Sequence, residues 1–347
     1  MILDYVKDMN LPRATFARFV LAEDKCTGCG RCVQTCPIQL LCIRDKKARP
    51  NNRYDFFRCI TCQNCAAVCE NSAITIVGDY RVSQGFWKND HLYPGTKTFP
   101  APLPEHEGKD FSEFAHELTE TERVIYARRS GRLYRKKKVP RELIRRVIEA
   151  GRFAPSAGNN QPWKFVVLDD AAEIAELGRR CHKALRVVSR LTLPRPFVDK
   201  EGVRGKKAGL SAWQQALLPL LIKLKTGEVE PRARGGINAS GADPDYPIFF
   251  GAPCLILLLA DSRGIGNIFL DTGICGQNMV LAAHSLGLST CYVSLAKAAS
   301  FFPDLKKSLK IEKPFKIVTS LTLGYPRGRT DKPVAREQPR IEWVEKL

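Results

Sequence analysis

The chain has 347 residues, of which 13 are cysteine, and its formal net charge is +19. Its length allows two or three domains. It contains no stretch of about twenty apolar residues, so we expect no membrane-spanning helix. Its first residues lack the charged-then-apolar pattern of a secretion signal, and its cysteines suit a reducing compartment. We therefore expect a cytoplasmic protein.

Two cysteine runs with the same spacing, C-x-x-C-x-x-C-x-x-x-C, are the first feature along the chain. The first run is Cys26, Cys29, Cys32 and Cys36, and the second run is Cys59, Cys62, Cys65 and Cys69. Three thiolates of such a run hold one iron–sulfur cube, and the fourth reaches the other cube. The spacing predicts one [4Fe–4S] cluster at Cys26, Cys29, Cys32 and Cys69, and another at Cys59, Cys62, Cys65 and Cys36. A pair of zinc sites is the alternative, although zinc usually takes paired C-x-x-C arms with a longer spacer.

Each run is followed by alternating apolar residues that predict a short strand, Leu41 and Ile43 after the first and Ile74 and Ile76 after the second. Residues 21–80 resemble a bacterial two-cluster ferredoxin domain, and we assign residues 1–80 to it. The resemblance is broken at Glu70, which follows Cys69 where the first run has a proline. Its negative charge is expected to lower the potential of the nearby cluster slightly.

Residues 81–120 are predicted to be a proline-rich linker without regular structure, because they contain Pro94, Pro100, Pro102 and Pro104 and no apolar period. Beyond the linker, residues 128–132 form a basic loop whose arginines and serine suit a phosphate monoester. A helix with one apolar face is predicted from Pro140 to Gly151. A turn at residues 154–163 leads into a strand at 165–168.

Nearer the C-terminus, residues 271–287 predict a helix that is apolar on most sides and therefore buried. Residues 289–295 and 321–326 predict two further strands. These segments carry four motifs in a fixed order: R-R-S-x-R, P-S-A-x-N-x-Q-P-W, a D-x-G helix that leads into a strand, and L-G-Y-P.

Together these motifs resemble the nitroreductase family of FMN-dependent oxidoreductases, over residues 121–347. The resemblance implies an α+β fold in which a mostly antiparallel sheet is flanked by helices. It also implies a homodimer that binds FMN in its interface. With the N-terminal region, this makes a ferredoxin-like two-cluster domain followed by a nitroreductase-like α+β domain.

The resemblance assigns roles to particular residues. The flavin phosphate and ribityl chain would be held by Arg128, Arg129, Ser130 and Arg132. The other subunit would place against the flavin ring the turn that contains Pro155, Ser156, Ala157 and Asn159. Backbone N–H groups would come from Ser294 and Leu295, although this segment is bulkier than is usual in the family. Lys332 or Arg336 would close the phosphate site.

Residues 186–250 depart most from a minimal family member and are expected to be an insertion that covers the flavin. Within it, Trp213, Leu217, Leu221 and Leu224 fall on one helical face. Residues 213–225 could be a lid helix or a membrane-surface helix, and Pro219 favours the lid. Trp213 and Tyr246 are candidates for stacking on a planar substrate.

Three classes of function remain. The first is an enzyme that passes electrons from the clusters through FMN to a nitroaromatic, quinone, enone or halogenated phenol. The second is a relay subunit that serves a larger protein. The third is a basic nucleic-acid-binding protein, but no nucleic-acid motif is present, and a basic face that steers an acidic redox partner explains the charge as well. We expect no nucleic-acid partner.

The electron donor is expected to be a low-potential ferredoxin-type protein or reductase. NAD(P)H is possible because nitroreductases accept it directly at the flavin. No G-x-G-x-x-G motif follows a strand, so no dinucleotide-binding domain of that type is expected.

Overall fold

The computed structural model describes residues 13–51, 59–78, 80–83, 97–192, 198–199, 240–241, 243, 245–329, 331–339 and 341–345. Most of the predicted insertion, including Trp213, lies outside these residues. Within the described ranges, no helix has the length and apolar character needed to cross a membrane.

The strands, in chain order, are β1 (Arg13–Thr15), β2 (Arg18–Leu21), β3 (Leu41–Arg44), β4 (Lys47–Pro50), β5 (Ile74–Val77), β6 (Arg81–Ser83), β7 (Lys97–Thr98), β8 (Trp163–Leu168), β9 (Val198–Asp199), β10 (Cys254–Asp261), β11 (Ser289–Tyr292), β12 (Phe315–Gly324) and β13 (Arg336–Glu337). The α-helices are α1 (Arg31–Thr35), α2 (Asn64–Ala67), α3 (Phe111–Phe114), α4 (Glu120–Ala127), α5 (Arg141–Arg152), α6 (Ala171–Thr192), α7 (Ile268–Ser285) and α8 (Pro303–Ser308). Single 3₁₀ segments cover Pro104–His106, Ala115–Glu117, Ala157–Asn159 and Ser294–Phe301.

In its described residues (18–51 and 59–78), the cysteine unit contains two antiparallel strand pairs and two short helices. Strand β2 pairs with β5, and β3 pairs with β4. A small core of Leu41, Ala48 and Ile74 lies between them, with Phe19 packed against it. The strands predicted after each cysteine run are confirmed as β3 and β5.

The segment between the two units contains more regular structure than its prolines suggested. The expectation of no regular structure is wrong at residues 104–117, where two 3₁₀ segments flank α3. Asp110 and Glu113 form a capping box that starts α3, and Thr119 with Glu122 starts α4 in the same way. Such reciprocal caps satisfy the first N–H groups of a helix, so they stabilise short helices in a polar sequence.

The sheet unit (residues 120–345) is organised around a four-stranded antiparallel sheet with the order β11-β12-β10-β8. Strand β10 is fully buried up to Ala260, and its side chains alternate between two cores. Leu255, Leu257 and Leu259 face α6 and the Ser294–Phe301 helix. The intervening residues face α5 and α7. The predicted α+β architecture, with helices on both sides of a mostly antiparallel sheet, is confirmed.

Two predicted strands have different ends in the structure. Residues 289–295 were expected to form one strand, but β11 ends at Tyr292 and a 3₁₀ helix begins at Ser294. The strand expected at residues 321–326 is the end of β12, which begins at Phe315. The break after β11 places Ser294 and Leu295 in the first turn of a helix.

Candidate functional site

The first cysteine site is a cavity of about 260 Å³ in the cysteine unit. Its cysteines come from both runs and are Cys26, Cys29, Cys32 and Cys69. The loop around the cavity lies against the β3–β4 turn, since a Cβ atom on Gly28 would be 2.2 Å from the carbonyl oxygen of Lys46. Lys47 Nζ also donates to the Cys26 carbonyl at 2.8 Å. The four cysteines predicted for one cluster therefore line one cavity.

The second cysteine site is a more apolar pocket, lined by Phe19, Leu41 and Ile76. Its cysteines are again drawn from both runs and are Cys36, Cys59, Cys62 and Cys65. In each site, three cysteines come from one run and the fourth comes from the other run, as the sequence predicted. Four thiols around each cavity match the ligand number of a [4Fe–4S] cluster.

Backbone N–H groups point at several of these sulfurs. The N–H of Leu40 lies 3.3 Å from Cys36 Sγ, that of Thr61 lies 3.4 Å from Cys59 Sγ, and that of Ala73 lies 3.3 Å from Cys69 Sγ. Such contacts favour the thiolate form and tune a bound cluster.

Burial has the opposite effect on three of the cysteines, because it favours the protonated thiol. It raises the pKa of the Cys32 thiol to about 11, that of Cys59 to about 11, and that of Cys65 further. The buried thiols therefore hold their protons until metal ions replace them.

The basic loop (residues 128–132) lies along the edge of the central sheet. Gly131 donates its N–H to the Thr290 carbonyl at 2.8 Å. A Cβ atom at Gly131 would be 1.7 Å from Ser289 Oγ and 2.9 Å from Ser289 Cβ, so any larger residue would displace Ser289. The hydroxyl of Tyr134 donates to the Gly131 carbonyl at 2.6 Å and lies 2.7 Å from Thr322 Oγ1. These contacts hold the loop in one conformation beside β11.

Two arginines of this loop have unused donors. The Nε atoms of Arg128 and Arg132 are buried and lack a hydrogen-bond partner among the described residues. Burial lowers the pKa of Arg128, and the nearby charge of Arg336 lowers it further. Half-buried arginines whose buried Nε donors are free, one of them close to a third cation, fit an anion such as the FMN phosphate.

Arg129 and Lys332 have other partners in the structure. The Arg129 guanidinium donates to the carbonyls of Arg329 and Lys332, the latter at 2.8 Å. Burial lowers the pKa of Arg129 to about 10, although the negative charge of Asp331 acts to raise it. Lys332 Nζ lies 3.2 Å from Ser72 Oγ in the cysteine unit. Arg129 therefore fixes the C-terminal arm to the basic loop, and Lys332 contacts the other unit.

The turn at residues 155–159 lies on the surface next to exposed apolar side chains. Ala157 donates its N–H to Asp271 Oδ2 at 3.2 Å, and Ser156 Oγ accepts from the N–H of Gln161 at 3.0 Å. Pro155 and Asn159 are exposed. The neighbouring patch consists of Phe153, Ile265, Phe269 and Leu270, each more than half exposed. A patch of this kind is typical of a surface that another protein covers.

Ser294 and Leu295 begin the 3₁₀ helix that follows β11. Ser294 Oγ lies 3.3 Å from Thr319 Oγ1, and Leu295 packs against the core beneath α6. The first N–H groups of a helix have no partner within it. The N–H groups of Ser294 and Leu295 therefore have no acceptor within this helix.

The cysteine unit contacts the basic loop directly, and the sequence analysis missed this. Asn64, between Cys62 and Cys65, is buried. In the amide orientation that satisfies both neighbours, its oxygen accepts from Arg132 Nη1 at 2.7 Å and its nitrogen donates to the Ser130 carbonyl at 3.2 Å. Asn64 occupies a variable position of the cysteine motif, so no signal in the sequence marked it.

Further contacts join the same two units. The hydroxyl of Tyr246 donates to the Pro37 carbonyl at 2.7 Å, next to Cys36. Tyr246 was a candidate for stacking on a substrate, but its side chain is buried between the units. Arg327 contacts Gln34, and Lys97 contacts Thr61. The second cysteine site and the basic loop are thus neighbours within one chain.

Each of the two units matches a known protein family. Residues 125–325 match the model of the nitroreductase family, and residues 25–74 match that of a 4Fe-4S dicluster domain. A 4-nitrobenzoate reductase of Pseudomonas putida is 31% identical over 205 residues, which are 58% of this chain and 83% of that protein. A putative NADH dehydrogenase/NAD(P)H nitroreductase of Archaeoglobus fulgidus is 43% identical over 217 residues, 62% of this chain and 90% of that protein. A nitroreductase with bound FMN from Desulfitobacterium hafniense superposes with a TM-score of 0.44 at 24% identity, over 66% of this chain and all of that one.

Proposed function

Because this chain belongs to the nitroreductase family and is an FMN-dependent oxidoreductase with two [4Fe–4S] clusters, we propose that its ferredoxin domain supplies the flavin with single electrons for the reduction of a small organic acceptor. The observation that carries this proposal is the contact of Asn64 with Ser130 and Arg132. It joins the second cysteine site to the basic loop in the same chain. A ferredoxin domain docked at that place can serve the flavin without a separate carrier.

The clusters are proposed to be held in a crossed manner. One would bind to Cys26, Cys29, Cys32 and Cys69, and the other to Cys36, Cys59, Cys62 and Cys65. The two cavities and the N–H groups directed at the sulfurs support this assignment. We place the ferredoxin domain at residues 1–80, the linker at 81–120 and the flavin domain at 121–347.

The flavin site is proposed to use the basic loop and a second copy of the chain. Arg128, Arg132 and Ser130 would bind the phosphate and ribityl chain, with Arg336 beside Arg128. Arg129 would hold the loop against the C-terminal arm, and Lys332 would fix that arm to the ferredoxin domain. The backbone N–H groups at Ser294 and Leu295 would face the flavin ring.

The second copy would contribute the turn with Pro155, Ser156, Ala157 and Asn159. The exposed apolar patch beside this turn supports a homodimer, since Phe153 is 72% exposed and Leu270 is 58% exposed in the single chain. Bound FMN supplies chemistry in steps of one or two electrons. The residues of this chain bind it, orient it and exclude water from it.

The acceptor is proposed to be a nitroaromatic, quinone, enone or halogenated phenol. Relatives carry names such as 4-nitrobenzoate reductase and chloronitrobenzene nitroreductase, which favours the nitroaromatic class. The donor is proposed to be a low-potential one-electron protein, because built-in clusters would be redundant if hydride arrived at the flavin. The relative from Archaeoglobus fulgidus is named for NAD(P)H, which keeps NAD(P)H as the second candidate donor.

Rapid mixing of the full-length protein with a reduced ferredoxin tests this function. Cluster absorbance should bleach before flavin absorbance, and the reduced protein should then turn over with one of the acceptor classes. Mixing with NADPH serves as the comparison. If ferredoxin reduces the flavin equally fast in a Cys62→Ala variant that lacks the second cluster, the clusters are not on the path. If no small acceptor is reduced, the protein is a relay to a larger partner.

A further inference from the structure

Four exposed cations lie together on the surface of the sheet unit, and we call them the basic strip: Arg135, Lys136, Lys137 and Arg327. Arg135 Nε donates to the Pro326 carbonyl at 3.0 Å, and Lys137 Nζ lies over the ring of Tyr325, 4.6 Å from the ring centroid. Among the described residues, the ion pairs include none of these four cations. The strip therefore carries a positive charge that no carboxylate partner there cancels.

One end of the basic strip reaches the cysteine unit beside the first cysteine site. The Arg327 guanidinium donates to the side-chain oxygen of Gln34 in α1. Gln34 lies three residues after Arg31, so both belong to the same face of this helix. A Cβ atom at Gly328 would lie 3.6 Å from Arg31 Cδ. Because Arg31 lines the first cavity, the strip begins beside the wall of that cavity.

The first cysteine site is the one that a partner can approach from solvent. Cys29 is exposed there, whereas the cysteines of the second site are only partly exposed, namely Cys36, Cys59, Cys62 and Cys65. Among the charged residues that line the first cavity, Arg31 and Glu70 form an ion pair at 2.5 Å, which leaves Lys25 as the remaining cation. Most of the uncompensated charge next to this exposed site therefore comes from the basic strip.

A group of like charges steers the approach of molecules that carry the opposite charge. Surfaces that bind single-stranded nucleic acid add aromatic rings on which bases stack. Tyr325, the ring beneath Lys137, is half-buried and packs against the core instead. We propose that the basic strip is the docking surface for an acidic one-electron donor protein, which delivers its electrons to the cluster at the first site.

This inference rests on the proposed function and specifies which surface the electron donor uses. Each docking oxidises the donor protein by one electron and reduces the cluster at the first site by one electron. Two dockings, with two protons taken from solvent, supply the full reduction of one flavin. The cations of the strip take no part in flavin binding, so their charge stays available in the flavin-loaded protein.

The test measures how fast a reduced, acidic bacterial two-[4Fe–4S] ferredoxin reduces the full-length protein with its cofactors bound. Rapid mixing at about 50 to 500 mM salt gives the second-order rate constant, which should fall for the wild type as salt screens the charges. Lys136→Glu combined with Lys137→Glu should lower the low-salt rate constant at least roughly tenfold and flatten its salt dependence. Reduced methyl viologen, a small donor that needs no docking surface, should reduce this variant as fast as the wild type.

The matched control is Lys307→Glu combined with Lys310→Glu, which changes the net charge by the same amount at two other exposed lysines. These lysines lie on the opposite side of the central sheet from the strip. Leu305 and Leu309 beside them pack against the core beneath α6, whereas Tyr325 beside the strip packs against the other core. The control should keep most of the wild-type rate constant. Equal rate constants in the two double variants would overturn the inference.

Two further outcomes bear on the strip itself. If the glutamate variant accepts no electrons from methyl viologen, Lys136→Gln combined with Lys137→Gln decides, and a wild-type rate constant with ferredoxin in that variant overturns the inference. Retention of the protein on immobilised double-stranded DNA is measured in parallel. If the strip variant loses this retention and is reduced by ferredoxin as fast as the control, the strip is a nucleic-acid surface and the inference is wrong.

The wild-type protein separates the inference from the proposed function. If methyl viologen reduces it and ferredoxin does not at any salt concentration, the proposed donor is wrong, and the proposed function fails together with the inference. If ferredoxin reduces the wild type and both double variants at one rate that salt does not change, the proposed function stands and only the docking surface is wrong.

Discussion

The hydroxyl of Tyr246 in the flavin domain donates a hydrogen bond of 2.7 Å to the carbonyl of Pro37, the residue that follows Cys36. This bond connects a residue far along the chain to the end of the first cysteine run. Together with the Asn64 contact, it places the second cysteine site against the flavin domain.

Tyr246→Phe should weaken the docking of the ferredoxin domain by about 1 kcal/mol, because one buried hydrogen bond is lost while the ring stays packed. Cluster-to-flavin electron transfer should slow in rapid-mixing experiments, with iron and flavin content unchanged. Tyr126→Phe is the control, since the Tyr126 ring contacts Phe111 away from the cysteine sites. Equal transfer rates in both variants would argue against a docking role for Tyr246.

Cys69→Ala should damage the cluster associated with the first cysteine run, because its thiol lines the cavity of Cys26, Cys29 and Cys32. Cys36→Ala should damage the other cluster in the same way. EPR of the reduced variants and their iron content measure this. Cys42→Ala is the control, because Cys42 Sγ contacts the Pro50 carbonyl at 3.8 Å and lines neither cavity. An intact first-run cluster in Cys69→Ala would contradict crossed ligation.

Arg128→Ala together with Arg132→Ala should release FMN and leave the iron content unchanged. Charge-assisted contacts are worth about 1.5–3 kcal/mol each, so flavin binding should weaken at least roughly tenfold per arginine. Equilibrium dialysis against FMN with iron analysis provides the measurement. Arg135→Ala is the control, because this exposed side chain donates to the Pro326 carbonyl. Retention of FMN in the double variant would remove the basic loop from the flavin site.

Phe153→Asp should shift the protein from dimer to monomer and weaken FMN binding in parallel, since a charge would be placed in the exposed apolar patch. Light scattering coupled to size-exclusion chromatography measures the mass. Val20→Asp is the control, an exposed residue of the ferredoxin domain. A dimer that persists in Phe153→Asp would place the interface elsewhere.

His284 should make the flavin-free protein less stable at acid pH. Burial lowers its pKa below the ordinary 6.5, and the charges of Arg129 and Arg128 lower it further. The unfolded chain then binds one more proton than the folded chain between the lowered pKa and 6.5, so the free energy of unfolding falls as pH falls through that window.

The His284 effect can be measured by urea denaturation at a series of pH values from about 5 to 7.5. His284→Asn should flatten the pH dependence below 6.5, while His116→Asn, an exposed histidine, should not. If the free energy of unfolding depends on pH equally in His284→Asn and in the wild type, His284 is not the cause of the acid destabilisation.

Features that depend on short-range spacing could be predicted from the sequence alone. Both cysteine runs, the strands after them and the basic loop could be read from residues a few positions apart, because a cluster and a phosphate each impose a fixed local pattern. Strand β10 also carries a local signal, an apolar run that fits a strand buried on both faces, although it was not among the predicted strands. Even the short helices α3 and α4 had a local signal, the capping boxes at Asp110 and Thr119, which the prolines obscured.

The way in which the two units meet depends on contacts between segments that are distant along the chain. Asn64 has no distinguishing neighbour in the sequence, and its amide gains its role from Ser130 and Arg132, which are distant along the chain. The same holds for Arg129, whose guanidinium is committed to the carbonyls of Arg329 and Lys332. Hydrogen bonds between distant segments depend on the packing of whole domains, and that packing cannot be predicted from the spacing of residues along the chain.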